Sequence, residues 1–151
     1  MKQRTIITQV SRINLVEEDG AIIELSFVDA SVSNQDNSKI LSLAEKEIQE
    51  YMKGKRKTFS IPIRYVGSKF QMNVWKAMLE IPYGEVRSYR EVAEMIHNPK
   101  SCRAVGNACN KNPIAILIPC HRVIASNHKL GGYGCGPDCK VRLHEIENIK
   151  L

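Results

Sequence analysis

The stretch PIAILIPCHRVIA, residues 113–125, constrains the fold more tightly than any other part of the chain. Ile114 to Ile118 is apolar on both faces, the pattern of a strand buried on each side, and it stops at Pro119, which has no amide hydrogen to give a neighbouring strand. A thiol, an imidazole and a guanidinium follow at once, in Cys120, His121 and Arg122. Such a segment needs a core to hold the run and a cleft at its end. A free cysteine is often only a small buried hydrophobe. His121 and Arg122, however, are the kind of neighbours that stabilise a thiolate and so make a nucleophile. Successive strand side chains point to opposite faces, so Cys120 and His121 act together only if the chain turns here or a water bridges them. A histidine that activates a cysteine also needs a third group to orient it. The candidates are two carboxylates of the C-terminal helix, Glu145 and Glu147.

The 151 residues suffice for a core in one or two small domains, and 43% apolar with 25% charged residues excludes a disordered chain. No segment approaches the roughly 18–20 apolar residues of a membrane span. Met1 to Arg4 leads directly into strand-like alternation, without the apolar core of a signal peptide. The expectation is a cytoplasmic protein with no membrane association. Five cysteines, at 102, 109, 120, 135 and 139, lack secreted-type spacing, and reduced thiols are expected. The charge of +6 is uneven: residues 68–151 carry 12 Lys and Arg against 7 Asp and Glu, a net of +5. That excess suits a polyanion such as nucleic acid, although mildly basic surfaces are also common without one.

Along the chain, Arg4 to Val16 and Ala21 to Val28 read as two strands joined by a turn at Asp19-Gly20. Ser38 opens a helix to about Met52, with Ile40, Leu43, Ala44, Ile48 and Tyr51 on one side and Gly54 as its stop. TFSIPIRYV is strand-like, and a domain boundary falls near Tyr65 to Ser68. Ser68 with Gln71, and Ser88 with Glu91, are capping boxes for two further helices, the first burying Phe70, Val74, Trp75, Met78 and Leu79. Asn98 as cap and Pro99 at the first helical position predict another helix to about Cys109 or Asn110. The last two helices make a helix-turn-helix. The second of the pair is thin: Ala104, Gly106 and Ala108 surround Arg103, and the spacing fits either close helix packing or a helix that enters a groove.

IPCHRVI, preceded by IPYGEVRSY and RAVGNACNKNP and followed by GGYG, resembles the O6-alkylguanine-DNA alkyltransferase family over roughly residues 68–147. The resemblance implies an α/β (α+β) chain with a small N-terminal antiparallel-sheet, RNase H-like domain over residues 1–67. A helical, winged helix-turn-helix-type DNA-binding domain would follow over residues 68–151. It implies a DNA repair protein that moves an alkyl group from the O6 atom of guanine irreversibly to its own cysteine. Cys120 would be the acceptor, His121 the base acting through a water, Glu147 its orienting carboxylate, and Asn112 the residue holding the loop before the active-site strand. Tyr89 would help rotate the nucleotide, and Arg103 would take the vacated place in the duplex. Ala104, Gly106, Asn107 and Arg122 complete the expected DNA contacts.

By the same resemblance Gly131, Gly132, Tyr133, Gly134 and Cys135 would line the alkyl pocket, with Gly134 and Cys135 standing where many relatives have serine and glycine. The partner implied is double-stranded DNA carrying O6-alkylguanine, met from the minor groove by a monomer without cofactor or metal. Cys135, Cys139 and His144 have a spacing that a metal could use, but three such residues do not define a site. Two other readings remain: a non-catalytic protein that only recognises alkylguanine, and a sequence-specific helix-turn-helix factor reading the major groove.

Overall fold

A computed structural model describes residues 1–32, 35–127, 129–131 and 137–151. The chain divides into two units, Met1–Tyr65 with Pro113–Leu117, and Val66–Asn112 with Ile118–Leu151.

The first unit is built on an antiparallel sheet of β1 (Lys2–Ile7), β2 (Arg12–Glu18) and β3 (Ala21–Phe27), in that spatial order. The expected single strand from Arg4 to Val16 is thus two strands. Thr8 causes the break: its hydroxyl accepts from the Val10 and Ser11 amides and donates to the Ser11 carbonyl, closing a local turn. The Asp19-Gly20 hairpin is as expected, with positive φ at both residues (48° and 80°). Helix α1 (Lys39–Met52) starts where Ser38 Oγ accepts from the Leu41 amide at 2.9 Å, and the chain leaves it through Gly54 at φ 73°.

This unit's core joins Ile13, Leu15, Ile22 and Leu25 of the sheet to Leu41, Ala44, Ile48 and Tyr51 of α1. Burying each large aliphatic side chain contributes about 1.5–3 kcal/mol. Leu41 is fully buried while Ile40 and Leu43 are half-buried, so the apolar stripe is rotated from the expected one. TFSIPIRYV forms no strand. It meets β3 only at Ile63, around the Pro62 carbonyl that accepts from the Ile22 amide, because Pro62 cannot extend a ladder.

The second unit holds helices α2 (Lys69–Leu79), α3 (Tyr89–Met95), α4 (Cys102–Asn110) and α5 (Pro137–Ile146). Both capping boxes are present, Ser68 with Gln71 and Ser88 with Glu91. Val74, Trp75 and Met78 face inward, and Trp75 Nε1 donates to the Ala108 carbonyl at 2.9 Å, fixing α2 on α4. Leu79, expected inside, is 40% exposed. Helix α4 begins later than expected: Asn98 is not its cap, because its carbonyl accepts from the amide and hydroxyl of Ser101 in a turn over Pro99 and Lys100. A small parallel pairing of β4 (Arg87–Ser88) with β5 (Val123–Ile124) completes the unit.

The apolar run before Pro119 is not the expected strand. Ile114 makes a parallel bridge to Leu25, and then Ile116, at φ 71°, and the hydrogen bond from the Leu117 amide to the Ala115 carbonyl turn the chain. No helix among the described residues is long and apolar enough to cross a membrane.

Candidate active site

Pro119 does not end a strand so much as open a turn. Cys120, His121 and Arg122 form one 3-10 turn, begun by the Cys120 amide bonding to the Ile118 carbonyl and closed by Arg122 to Pro119. Asn112 stabilises the approach, its side-chain amide donating to the Ile118 carbonyl at 2.8 Å. All three side chains of the turn are buried: Cys120 is 8% exposed and His121 0%. The turn supplies the bend that a strand would have denied.

Glu147, just past the end of α5, organises the turn. Its carboxylate lies 2.5 Å from His121 Nε2, and it accepts from Arg122 Nε at 2.9 Å, Arg122 Nη2 at 3.2 Å and the Gly84 amide at 3.0 Å. Burial alone would push the Glu147 carboxyl up, but the hydrogen bonds it accepts from His121, Arg122 and the Gly84 amide outweigh it and hold the group well below the usual carboxylate range. Burial lowers the pKa of His121, overcoming the opposing pull of Glu147. The imidazole is therefore neutral near pH 7. An ionised carboxylate can only accept, so the ring proton sits on Nε2 and the lone pair on Nδ1. A neutral base held beside a thiol can take the thiol proton.

Two family models cover the chain. The 6-O-methylguanine DNA methyltransferase DNA-binding domain matches residues 69–149, and the ribonuclease-like domain of the same proteins matches residues 1–65. The chain belongs to the 6-O-methylguanine DNA methyltransferase family. It is similar to the methylated-DNA-protein-cysteine methyltransferase of Methanosarcina mazei, 47% identical over 77% of this chain and 73% of that one. It is also similar to the constitutive enzyme of that name in Bacillus subtilis, 41% identical over 96% and 94%. Among solved structures it resembles Mycobacterium tuberculosis OGT in complex with DNA, with a TM-score of 0.89 and 37% identity over 98% and 93% of the two chains.

Against the methyltransferase expectations, α4 presents Arg103, Ala104 and Asn107 on its exposed face, with Gly106 half-buried. Ala108 turns inward at 2% exposure and carries the carbonyl that Trp75 holds, so it is not part of that face. Tyr89 opens α3 with its ring against Gly106: an added Cβ there would meet Tyr89 Cε1 at 4.0 Å. Its hydroxyl reaches Gly131, where an added Cβ would stand only 3.0 Å away. Gly131 is at φ 74°, a conformation suited to glycine.

Arg122, expected to contact DNA, is 8% exposed, and its guanidinium is engaged by Glu147 and, through Nη1 at 2.7 Å, by the Ile81 carbonyl. Burial beside a carboxylate removes it from the DNA-facing set. Gly132, Tyr133, Gly134 and Cys135 lie outside the described residues. Cys102, Cys109 and Cys120 are thiols, whereas Cys139 is disulfide-bonded. The expectation of reduced cysteines fails at Cys139. Among the described residues no cluster of three His, Cys, Asp or Glu side chains is placed to hold a metal ion.

Sequence reasoning missed two buried residues of α5, Lys140 and His144. Lys140 Nζ donates to the Val123 carbonyl, and His144 Nε2 meets the His121 carbonyl, each at 2.7 Å. Their i, i+4, i+7 register with Glu147 was the available signal.

Proposed function

We infer that this chain is a DNA repair protein that transfers the alkyl group of O6-alkylguanine to its own Cys120 in a single-turnover reaction. The observation that carries the reading is the turn that joins a buried thiol to a neutral imidazole locked by an ionised Glu147.

The steps follow from that geometry. His121 Nδ1 takes the Cys120 proton, through a water, while Glu147 fixes the ring and Arg122 balances the carboxylate charge. The thiolate attacks the alkyl carbon in line, the carbon–O6 bond breaks, and the electron pair leaves with the guanine, which hydrogen-bond donors stabilise. The product is a thioether, and no step restores the thiol. One molecule therefore repairs one lesion.

An O6-alkyl group lies within the base stack, so the nucleotide must be turned out at a cost of a few kcal/mol, least for damaged bases. Arg103, exposed on α4, is suited to fill the gap, and Tyr89 to guide the nucleotide. The slim exposed face of α4, with Ala104, Gly106 and Asn107, suits the narrow minor groove, where readout is largely independent of sequence. Gly131 to Cys135 would line the alkyl pocket. Residues 1–67 act as the N-terminal α/β domain and residues 68–151 as the DNA-binding and active-site domain of a cytoplasmic monomer. The presence of the acceptor thiol speaks against a protein that only recognises alkylguanine.

The experiment is incubation with a duplex carrying O6-methylguanine, followed by a digest. A gain of one methyl on the Cys120 peptide is expected, and a folded, DNA-binding protein whose Cys120 peptide stays unmodified would overturn the reading.

A further inference from the structure

The positive charge of the first unit is gathered in one place. Residues 39–57, which are α1 and the turn after it, carry six Lys and Arg against three Glu, whereas the rest of residues 1–67 carries four against six Asp and Glu. Lys39 opens α1, Lys46 stands seven residues on, and Lys53 stands a further seven on at the C-cap. Seven residues make nearly two full turns, so the three share one face, about 10 Å apart along the axis and about 21 Å from end to end. All three are exposed, as are Lys55 and Lys57 of the KGKRK run that follows.

The acidic residues of α1 do not neutralise that face, because arginines hold them. Glu45 pairs with Arg4 at 3.1 Å, and Arg56 holds Glu50 at 2.9 Å and the buried Glu47 at 3.5 Å. Glu50 lies four residues after Lys46 and three before Lys53, the spacings at which a helix pairs opposite charges. Arg56 takes it instead, so one residue of KGKRK folds back and leaves the lysines to water. Among the described residues Lys39, Lys46, Lys53 and Lys55 form no ion pair. Between Lys39 and Lys46 runs a shallow groove of about 590 Å³, lined also by Asn37, Ser38, Ser42 and Leu43. Ammonium, hydroxyl and amide groups are the set that proteins turn toward phosphate oxygens. No large apolar side chain of α1 is exposed, so the face lacks what a helix lying in a membrane surface inserts.

We propose that the Lys39, Lys46 and Lys53 face of α1 is a second DNA-contact surface, which takes the phosphate backbone of duplex DNA without regard to sequence or lesion. It goes beyond the repair reading, which places DNA on α4, and rests only on DNA being the partner. The length of the track matches about six base-pair steps at about 3.4 Å each. Contacts of this kind attract DNA by charge and release its counterions, which holds the protein on undamaged duplex while a lesion is sought.

The test is the affinity of the full chain for a lesion-free duplex between about 50 and 200 mM KCl, read by fluorescence anisotropy. The track variant is Lys39→Gln/Lys46→Gln/Lys53→Gln, and the control, Lys2→Gln/Lys76→Gln/Lys150→Gln, removes the same charge from exposed positions elsewhere. Each phosphate contact contributes about 0.9 to the slope of log affinity against log salt, so the track variant is expected to flatten that slope by about two to three. It is also expected to bind at least about tenfold more weakly at about 100 mM salt, whereas the control keeps its slope within about one of the parent's. A track variant with the parent's slope, or a control that flattens it as much, would overturn the proposal. Lys39→Arg/Lys46→Arg/Lys53→Arg keeps the charges and is expected to keep the slope, and a loss there equal to the glutamine variant's would assign the effect to folding and overturn the proposal as well. No lesion is present in the assay. A flattened slope beside an unmodified Cys120 would therefore refute the repair reading alone, and intact repair beside an unchanged slope would refute this one alone.

Discussion

His121 Nε2 and Glu147 Oε2 lie 2.5 Å apart in a site closed to solvent, and Arg122 grips the same carboxylate from its other side. One carboxylate thus sets the tautomer of the base and fixes the turn that carries the thiol.

Replacing Glu147 with glutamine removes one partner of a buried ion pair, and such losses cost about 3–5 kcal/mol. Chemical denaturation of Glu147→Gln is expected to show a loss of that size. Alkylation of Cys120 by O6-benzylguanine is expected to slow as well, because the amide no longer dictates which His121 nitrogen carries the proton.

The same pair predicts the acid limb of stability. The Glu147 carboxyl is held low in the folded state, so its contribution is complete above the ordinary carboxylate value of about 4.3 and fades as pH falls below it. His121, held neutral by burial, adds a loss that begins as pH falls through the unfolded value of about 6.5. Urea midpoints are expected to drop from pH 7 toward pH 3, with a shallower decline in Glu147→Gln. Parallel curves for the two proteins would assign the acid sensitivity elsewhere.

Much of this site was legible in the sequence, and the reason lies in locality. Ser68 with Gln71 and Ser88 with Glu91 satisfy one another within three residues, so the capping boxes can be read directly. Pro119 beside Cys120, His121 and Arg122 marked the chemistry for the same reason. Where a backbone choice is settled by distant contacts, the reading fails. Ile114 to Ile118 has the composition of a strand, yet it bends at Ile116 after one bridge to Leu25. Arg122 looked like a DNA contact because its carboxylate partner lies 25 residues away in sequence. Lys140 and His144 reach the turn across 17 and 23 residues, and the local mark they carry is their helical register with Glu147.

Arg103 is exposed on α4, so its loss should leave the folded state nearly unchanged. Arg103→Ala is expected to slow repair of duplex DNA at least about tenfold more than reaction with free O6-benzylguanine, since only the duplex requires a base to be turned out. Equal losses on both substrates would count against insertion into the stack.

Gly106 occupies a helix interior at a cost of about 1 kcal/mol relative to alanine. A Cβ there would meet nothing closer than Tyr89 Cε1 at 4.0 Å, an ordinary contact. Gly106→Ala is therefore expected to raise stability by up to about 1 kcal/mol in denaturant titration. A destabilised variant would mean that the Tyr89 ring cannot give way.

The claim on which the account depends is that Cys120, held at the turn by His121 and Glu147, permanently accepts carbon from a damaged guanine. The most direct measurement is the intact mass of the protein, and of its Cys120 peptide, after one equivalent of O6-methylguanine duplex. The account predicts one methyl per molecule, confined to Cys120, with no further repair when more lesion is added. Continued turnover, or a methyl on any other residue, would contradict it.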